Sequence, residues 1–182
     1  TFQTPTLSAS TKYYVTVRGD NKCENLPAEA VVVDVIFKPI ALASDISISG
    51  GVIICTNGST SLTASTTTVA NPVFTWYSDA ALTNKIYTGN VYTPTLSTTT
   101  TFYVTVKGDD KCENVAASVA SVQVQAFDIP AAPTVETTGT IICINNSTVL
   151  SVQSPQPNVI YEWYGSANGG TLIHTGTTYP TG

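Results

Sequence analysis

Apolar and polar residues alternate along this chain in short bursts, and one burst occurs twice. Thr11 to Asn25 reads TKYYVTVRGDNKCEN, and Thr100 to Asn114 reads TTFYVTVKGDDKCEN. Successive side chains of a strand point to opposite sides, so Tyr13, Val15 and Val17 share one face of an extended strand. Phe102, Val104 and Val106 do the same in the second copy, which predicts a half-buried strand in each. The Gly-Asp pair that follows then turns the chain.

The rest of the sequence registers against this stretch. Cys23 recurs at Cys112, Cys55 at Cys143 and Trp76 at Trp163, at spacings of 89, 88 and 87 residues. One unit is therefore about 88 residues. Residues 1–38 are predicted to be the C-terminal part of a first unit, 40–128 a complete unit and 134–182 the N-terminal part of a third. Lys38-Pro39 and Pro130-Ala131-Ala132-Pro133 are the breaks between them. A chain that opens and closes inside a repeat is expected to be a segment of a longer array.

In the complete unit, strands are predicted at Ile46 to Ile48, Val52 to Cys55, Leu62 to Ala64, Val73 to Tyr77, Ile86-Tyr87, Val91 to Leu96, Thr101 to Val106 and Val119 to Ala126. Turn residues separate them, and the only helix-like piece, Ser78 to Leu82, is too short to be more than a turn. In the first unit, Thr4-Pro5-Thr6-Leu7 matches Thr93-Pro94-Thr95-Leu96 and is predicted to be a short strand. Val31 to Phe37 closes the unit. About seven short strands per repeat specify an all-β sandwich.

Composition sharpens this picture. Hydrophobic residues make up 42% and charged residues only 10% of the 182 residues, with no Met. A typical soluble domain carries roughly 25% charged residues. Threonine is the commonest residue, and β-branched side chains suit a pleated sheet. The net charge is −5, with seven Lys and Arg scattered singly, which argues against a nucleic-acid or anionic-membrane partner. Apolar runs such as Val31 to Val33 are far short of the ~20 residues that span a bilayer. Four Cys without a C-x-x-C pair and a single His do not read as a zinc site. Disulfides outside the cytoplasm are the better reading.

The run Ile54-Cys55-Thr56-Asn57-Gly58-Ser59, with Trp76-Tyr77, Tyr87-Thr88-Gly89, Phe102-Tyr103-Val104 and Lys111-Cys112, resembles the Ig-like repeat domains of large Bacteroidetes surface proteins. Trp163-Tyr164-Gly165-Ser166-Ala167-Asn168-Gly169-Gly170-Thr171-Leu172 and Thr175-Gly176-Thr177-Thr178-Tyr179 carry the same resemblance in the third unit. It covers essentially the whole chain. Long arrays of this kind are similar to the gliding-motility adhesins of that phylum, which leave the cell through the type IX secretion system. The resemblance implies tandem Ig-like sandwiches, an extracellular cell-surface location and no catalytic residues or cofactor.

Candidate chemistry is sparse. Trp76 and Trp163 fall on the third strand, and Trp76 shares parity with Phe74, so both read as core rather than as sugar-stacking platforms. Tyr77 and Tyr103 have the opposite parity, which Tyr164 and Tyr14 repeat. On neighbouring strands the pair would form either a glycan-binding face or a cross-strand pair that stabilises the sheet. The carboxylates of Asp109, Asp110 and Glu113, and of Asp20 and Glu24, are expected at solvated hairpin tips, because calcium needs about six oxygen ligands. His174 corresponds to Tyr87 and reads as surface decoration. The sequons at Asn57, Asn145 and Asn146 read as surface turns.

The cysteines admit two pairings. In an Ig-like unit the simple one joins Cys55 to Cys112. Yet Cys55 precedes the second strand and Cys112 follows the sixth, which separates them by a strand length of about 20 Å. A disulfide requires Cα atoms within about 7 Å. The preferred reading therefore joins each early-strand cysteine, Cys55 or Cys143, to the hairpin cysteine of the following domain. Cys23 and Cys112 would be the hairpin partners of preceding domains. Free thiols are the third option.

Taken together, the sequence reads as a non-catalytic repeat segment of a bacterial surface adhesin or filament, acting as a stiff stalk. Its partners are neighbouring repeats of the same protein and, on the rival reading, surface polysaccharide. That rival is a carbohydrate-binding module of a secreted polysaccharide-degrading enzyme. A self-assembling surface layer is a third reading.

Overall fold

Alternation becomes layers between residues 40 and 127. The computed structural model describes residues 1–136, 140–168 and 170–181, and it divides into two compact units, Thr1–Phe127 and Asp128–Gly182. Its regular structure is β throughout: the helical pieces among the described residues are three-residue 3-10 turns at Pro27–Glu29, Ala43–Asp45 and Ala116–Ser118.

Two sheets make the sandwich in the first unit. One has five strands in the order Ile53–Cys55, Ala120–Phe127, Thr100–Lys107, Val73–Tyr77 and Lys85–Thr88. The other has three, Ser47–Gly50, Leu62–Ser65 and Val91–Tyr92. The register sets Val104 opposite Trp76 and Val106 opposite Phe74. Each strand therefore turns the same parity inward. Phe74, Trp76, Phe102, Val104, Val106 and Val124 from one sheet meet Leu62 and Ala64 from the other in a single buried cluster. Strand existence and inward face follow the sequence pattern at Val73–Tyr77 and Thr100–Lys107.

The edges are more broken than that pattern suggested, with ten strand segments between Ser47 and Phe127. Between the two strands predicted at the start, the chain changes sheets at Gly50-Gly51. Gly50 has φ 138°, and a Cβ there would stand 2.1 Å from the Ser61 carbonyl oxygen. Beyond it, Ile53–Cys55 runs parallel to the end of the Ala120–Phe127 strand, with Cys55 opposite Phe127. Pro94 divides the segment predicted at Val91 to Leu96 into Val91–Tyr92 and Thr95–Leu96. The Ser78 to Leu82 piece is a turn, held by the Asp79 carboxylate, which accepts from the backbone N–H of Thr83 and Asn84 at 3.1 and 2.7 Å.

Residues 1–38 contain an antiparallel pair, Thr11–Val15 with Val31–Val35. Thr4 to Leu7, predicted to be a strand, is irregular. Its counterpart Thr95–Leu96 is a strand because Gly58–Ser59 pairs with it, and residues 1–38 contain no equivalent of that partner.

The second unit carries Thr134–Val135, Thr148–Gln153 and Thr178–Thr181 in one sheet and Glu162–Tyr164 with Leu172–Thr175 in another. Trp163 stands opposite His174. Gly169, part of the third-unit motif, lies outside the described residues.

Candidate functional site

Tyr77 and Tyr103 sit directly opposite each other on adjacent antiparallel strands, so they share the outward face of the five-stranded sheet. Part of that face, at Thr75 and Thr105, is covered where the hairpin after Lys107 folds back against it. The Glu113 carboxylate accepts from the Thr105 hydroxyl at 2.5 Å and from the Tyr77 hydroxyl at 3.4 Å. Thr105 is fully buried although it points away from the core. Burial first, and the Glu113 charge second, push the Tyr77 phenol above its ordinary value. Tyr77 and Tyr103 are both half-buried, and the Tyr77 hydroxyl is engaged.

The acidic hairpin tip is exposed to solvent, as the sequence suggested, and is also docked on a neighbouring loop. Asp110 accepts from the Ala70 backbone N–H at 2.8 Å, and Asp109 accepts from the Asn71 side-chain amide at 2.6 Å. The Asp109 N–H in turn donates to the Ala70 carbonyl at 2.9 Å. These carboxylates replace water for a loop that has run out of ladder partners. Sequence spacing alone could not show that residues 69–71 would arrive there.

The cysteines stand at opposite ends of the sandwich. Cys55 is beside Phe127, where the chain leaves, and the N–H of Thr56 donates to the Phe127 carbonyl at 2.8 Å. Cys112 is beside Ile40, where the chain enters. It donates its N–H to the Pro39 carbonyl at 2.9 Å and accepts from the Ala41 N–H at 2.9 Å. The Cys112 thiol lies 3.7 Å from the Lys38 carbonyl oxygen. The eight-residue strand Ala120–Phe127 spans the distance between the two ends. At ~3.3 Å per residue that is over 20 Å, beyond the ~7 Å reach of a disulfide. Cys23, Cys55, Cys112 and Cys143 are all exposed and unpaired.

Trp76 donates its indole N–H to the Gly89 carbonyl at 2.9 Å, and Trp163 donates to Gly176 at the same distance. Two sheets and a strand tryptophan with a satisfied indole thus recur in both units, the tryptophan fully buried in the first and half-buried in the second. The family described as "Ig-like domain CHU_C associated" matches residues 44–125 and 130–182. The chain belongs to this Ig-like family. The matched segments fall on the complete sandwich and on most of the second unit. Domains of this type are typical of Bacteroidetes surface proteins. No curated protein matches the chain, and among the described residues no helix is long and apolar enough to cross a membrane.

In the Ig-like sandwich, Tyr92 is the hub of the aromatic packing. It contacts Trp76, Tyr87 and Phe102 with ring centroids 5.3–5.5 Å away. In the second unit Tyr179 contacts Trp163 and His174 at 5.7 and 5.6 Å. His174 is therefore the structural substitute for Tyr87, partly buried against a ring, rather than surface decoration. The sequons at Asn57 and Asn145 occupy left-handed turn positions, φ 63° and 62°, which Asn tolerates better than most residues.

One organising residue escaped the sequence reading. Asp45 accepts from the Lys111 ammonium at 2.6 Å, the Leu42 N–H at 2.8 Å and the Thr68 hydroxyl at 2.5 Å. It ties the entering chain, the docked hairpin and the 66–68 loop together at the end of the domain that holds Cys112. The Leu42 hydrogen bond, followed by those from Lys111 and Thr68, lowers its pKa from 3.8 to about 2. The signal was available: Asp45 is the only charged residue between Lys38 and Asp79. A lone charge in so long an uncharged stretch calls for a partner.

Proposed function

We propose that this chain is a run of Ig-like repeats, 1–38, 40–128 and 134–182, in a tandem array that serves as the non-catalytic, stiff stalk of an extracellular bacterial surface adhesin or filament. The observation that supports this most is the clamp on the entering chain. Residues 38–41 do not hang as a free linker. They form a bridge with Cys112, and Asp45 a few residues on is held by Lys111. A linker absorbed into the edge of the next sandwich loses the backbone freedom that would let neighbouring domains swing.

The test is small-angle X-ray scattering on arrays of one to four repeats. A stiff stalk adds a constant increment to the maximum dimension per repeat, whereas flexibly linked domains grow roughly as the square root of repeat number. Square-root growth would sink the stalk reading. A polysaccharide pull-down separates the rival reading. Binding lost in Tyr77→Ala and Tyr103→Ala variants that remain folded would turn the assignment toward a carbohydrate-binding module.

A further inference from the structure

The register between repeats brings two cysteines onto one residue of the chain. In the opening hairpin Thr11 pairs with Val35 and Val15 with Val31. In the complete unit Thr100 pairs with Val124 and Val104 with Ala120. Both strands are thus related by the same shift of 89 positions, which makes Lys38 the equivalent of Phe127. Phe127 is the residue that stands opposite Cys55, and its carbonyl accepts the Thr56 N–H at 2.8 Å. Lys38 is the residue whose carbonyl oxygen lies 3.7 Å from the Cys112 thiol. The cysteine of a preceding repeat that corresponds to Cys55 would therefore stand opposite Lys38. The N–H next to it would bond the same oxygen that the Cys112 thiol approaches. In that arrangement the thiol of Cys112 and the N–H after the other cysteine are no farther apart than the two distances, 3.7 and 2.8 Å, laid end to end. Both cysteines would thus flank one carbonyl oxygen, and a disulfide between them needs their Cα atoms within about 7 Å.

We propose that in a tandem array the Cys55 position of each repeat forms a disulfide with the Cys112 position of the next, stapling consecutive domains across the residue between them. The inference rests on the array reading and gives it a covalent joint. Two thiols lose two hydrogens to form one S–S bond. A donor disulfide, such as oxidised glutathione or an oxidised dithiol protein outside the cytoplasm, is reduced to two thiols by exchange. The staple would act together with the Lys111–Asp45 pair, which fixes the same hairpin against the same entering chain.

The experiment joins two copies of residues 40–128 directly, because the shift of 89 positions makes Asp128 the equivalent of Pro39 and so preserves the spacing at the junction. Every residue of the core cluster lies between Ala41 and Val124, so each copy carries its own core. One variant has Cys112→Ser in the first copy and Cys55→Ser in the second, leaving only the pair across the junction. The other has Cys55→Ser and Cys112→Ser in the second copy, leaving only the pair within the first. Both are equilibrated at low concentration with oxidised and reduced glutathione, and free thiols are counted by maleimide mass shift. Complete loss of both thiols in the first variant and retention of both in the second is the expected result. Retention in the first, or an S–S bond in the second, overturns the staple. Urea unfolding followed by Trp76 fluorescence separates the two readings. Reduced thiols in a tandem that unfolds cooperatively refute the staple alone. Loss of the cooperative transition on joining the copies overturns the array reading and the staple with it.

Discussion

The two copies of the YVTV-hairpin motif fold alike locally and differ in almost everything at long range. In both, an asparagine two residues past the cysteine accepts a backbone N–H from the strand: Val17 to Asn25 at 2.6 Å and Val106 to Asn114 at 2.8 Å. A threonine hydroxyl donates to the neighbouring glutamate in both, Thr16 to Glu24 and Thr105 to Glu113. Both copies pair antiparallel with the strand that follows, in equivalent register. Yet Val104 and Val106 are fully buried, while Val15 and Val17 are 56% and 73% exposed. The difference lies in the neighbours. Thr100–Lys107 has Val73–Tyr77 on its other side and Leu62–Ser65 across the core, and residues 1–38 contain neither. A strand and its turn are properties of fifteen residues, whereas a core is a property of the whole repeat.

The sharpest way to break this comparison is to truncate the same inward position in each copy. Phe102→Ala removes a ring from the closed core and is expected to cost about 3–5 kcal/mol. Tyr13→Ala, at the equivalent position, is expected to change the same transition by less than about 0.5 kcal/mol. Urea unfolding read by Trp76 fluorescence, in a Trp163→Phe background so that only one indole reports, measures both. Equal effects would mean that the opening hairpin shares the cooperative core.

A second contrast concerns close approach. A Cβ on Gly108 would stand 2.2 Å from the Ala70 carbonyl oxygen, whereas one on Gly19 would meet nothing within 4 Å. Gly108→Ala must push the hairpin off the 69–71 loop and is expected to cost about 1–3 kcal/mol. Gly19→Ala should be silent in the same urea titration.

The asparagine hydrogen bond gives a third contrast, because here the geometry is shared and only the burial differs. Asn114 is buried, and its amide also donates to the Ser118 carbonyl at 2.9 Å. Asn114→Ala leaves buried backbone groups unpaired, at a cost of about 1–3 kcal/mol. Asn25→Ala leaves groups that water can reach and should cost under about 0.5 kcal/mol. Amide hydrogen exchange at Val106 and Val17 distinguishes the cases: protection should collapse at Val106 on substitution and change little at Val17.

These pairs also show what the amino-acid string could and could not reveal. The parity of Phe74 with Trp76, and of Phe102 with Val104 and Val106, was legible because period-two alternation is local. So was the separation of Cys55 from Cys112, since Cys55 precedes the Leu62–Ser65 strand and Cys112 follows the Thr100–Lys107 strand, each by several residues. The docking of Asp109 and Asp110 on residues 70–71 was not legible, because it depends on two turns from distant parts of the chain arriving at one end of the sandwich. The packed role of His174 was hidden for a related reason: its equivalence to Tyr87 was visible, but the Tyr179 ring that receives it is not adjacent in sequence. Tyr77 and Tyr103 were placed on one face correctly by parity, while the hairpin that engages Tyr77 from above could not be anticipated from parity alone.

Asp45 supplies the smallest effect and the one that isolates the joint at the domain's entry. Its folded-state pKa, about 2, lies below the ordinary value of 3.8. A depressed carboxylate contributes stability in full above the unfolded-state pKa and loses it as pH falls through the folded-state value. The urea midpoint of the Trp76 transition should therefore decline between about pH 4 and pH 2. In Asp45→Asn that part of the decline should vanish, since an amide does not titrate, and the variant should be less stable at pH 7 by about 1 kcal/mol or less, as for a partly exposed ion pair. Lys111→Met separates the contributions. It removes the 2.6 Å ion pair but leaves the Leu42 and Thr68 hydrogen bonds, and since the Leu42 bond is the first cause of the shift, part of the acid dependence should persist. An acid profile flattened as fully by Lys111→Met as by Asp45→Asn would instead make the hairpin lysine, and not the backbone turn at Leu42, the element that holds the entering chain.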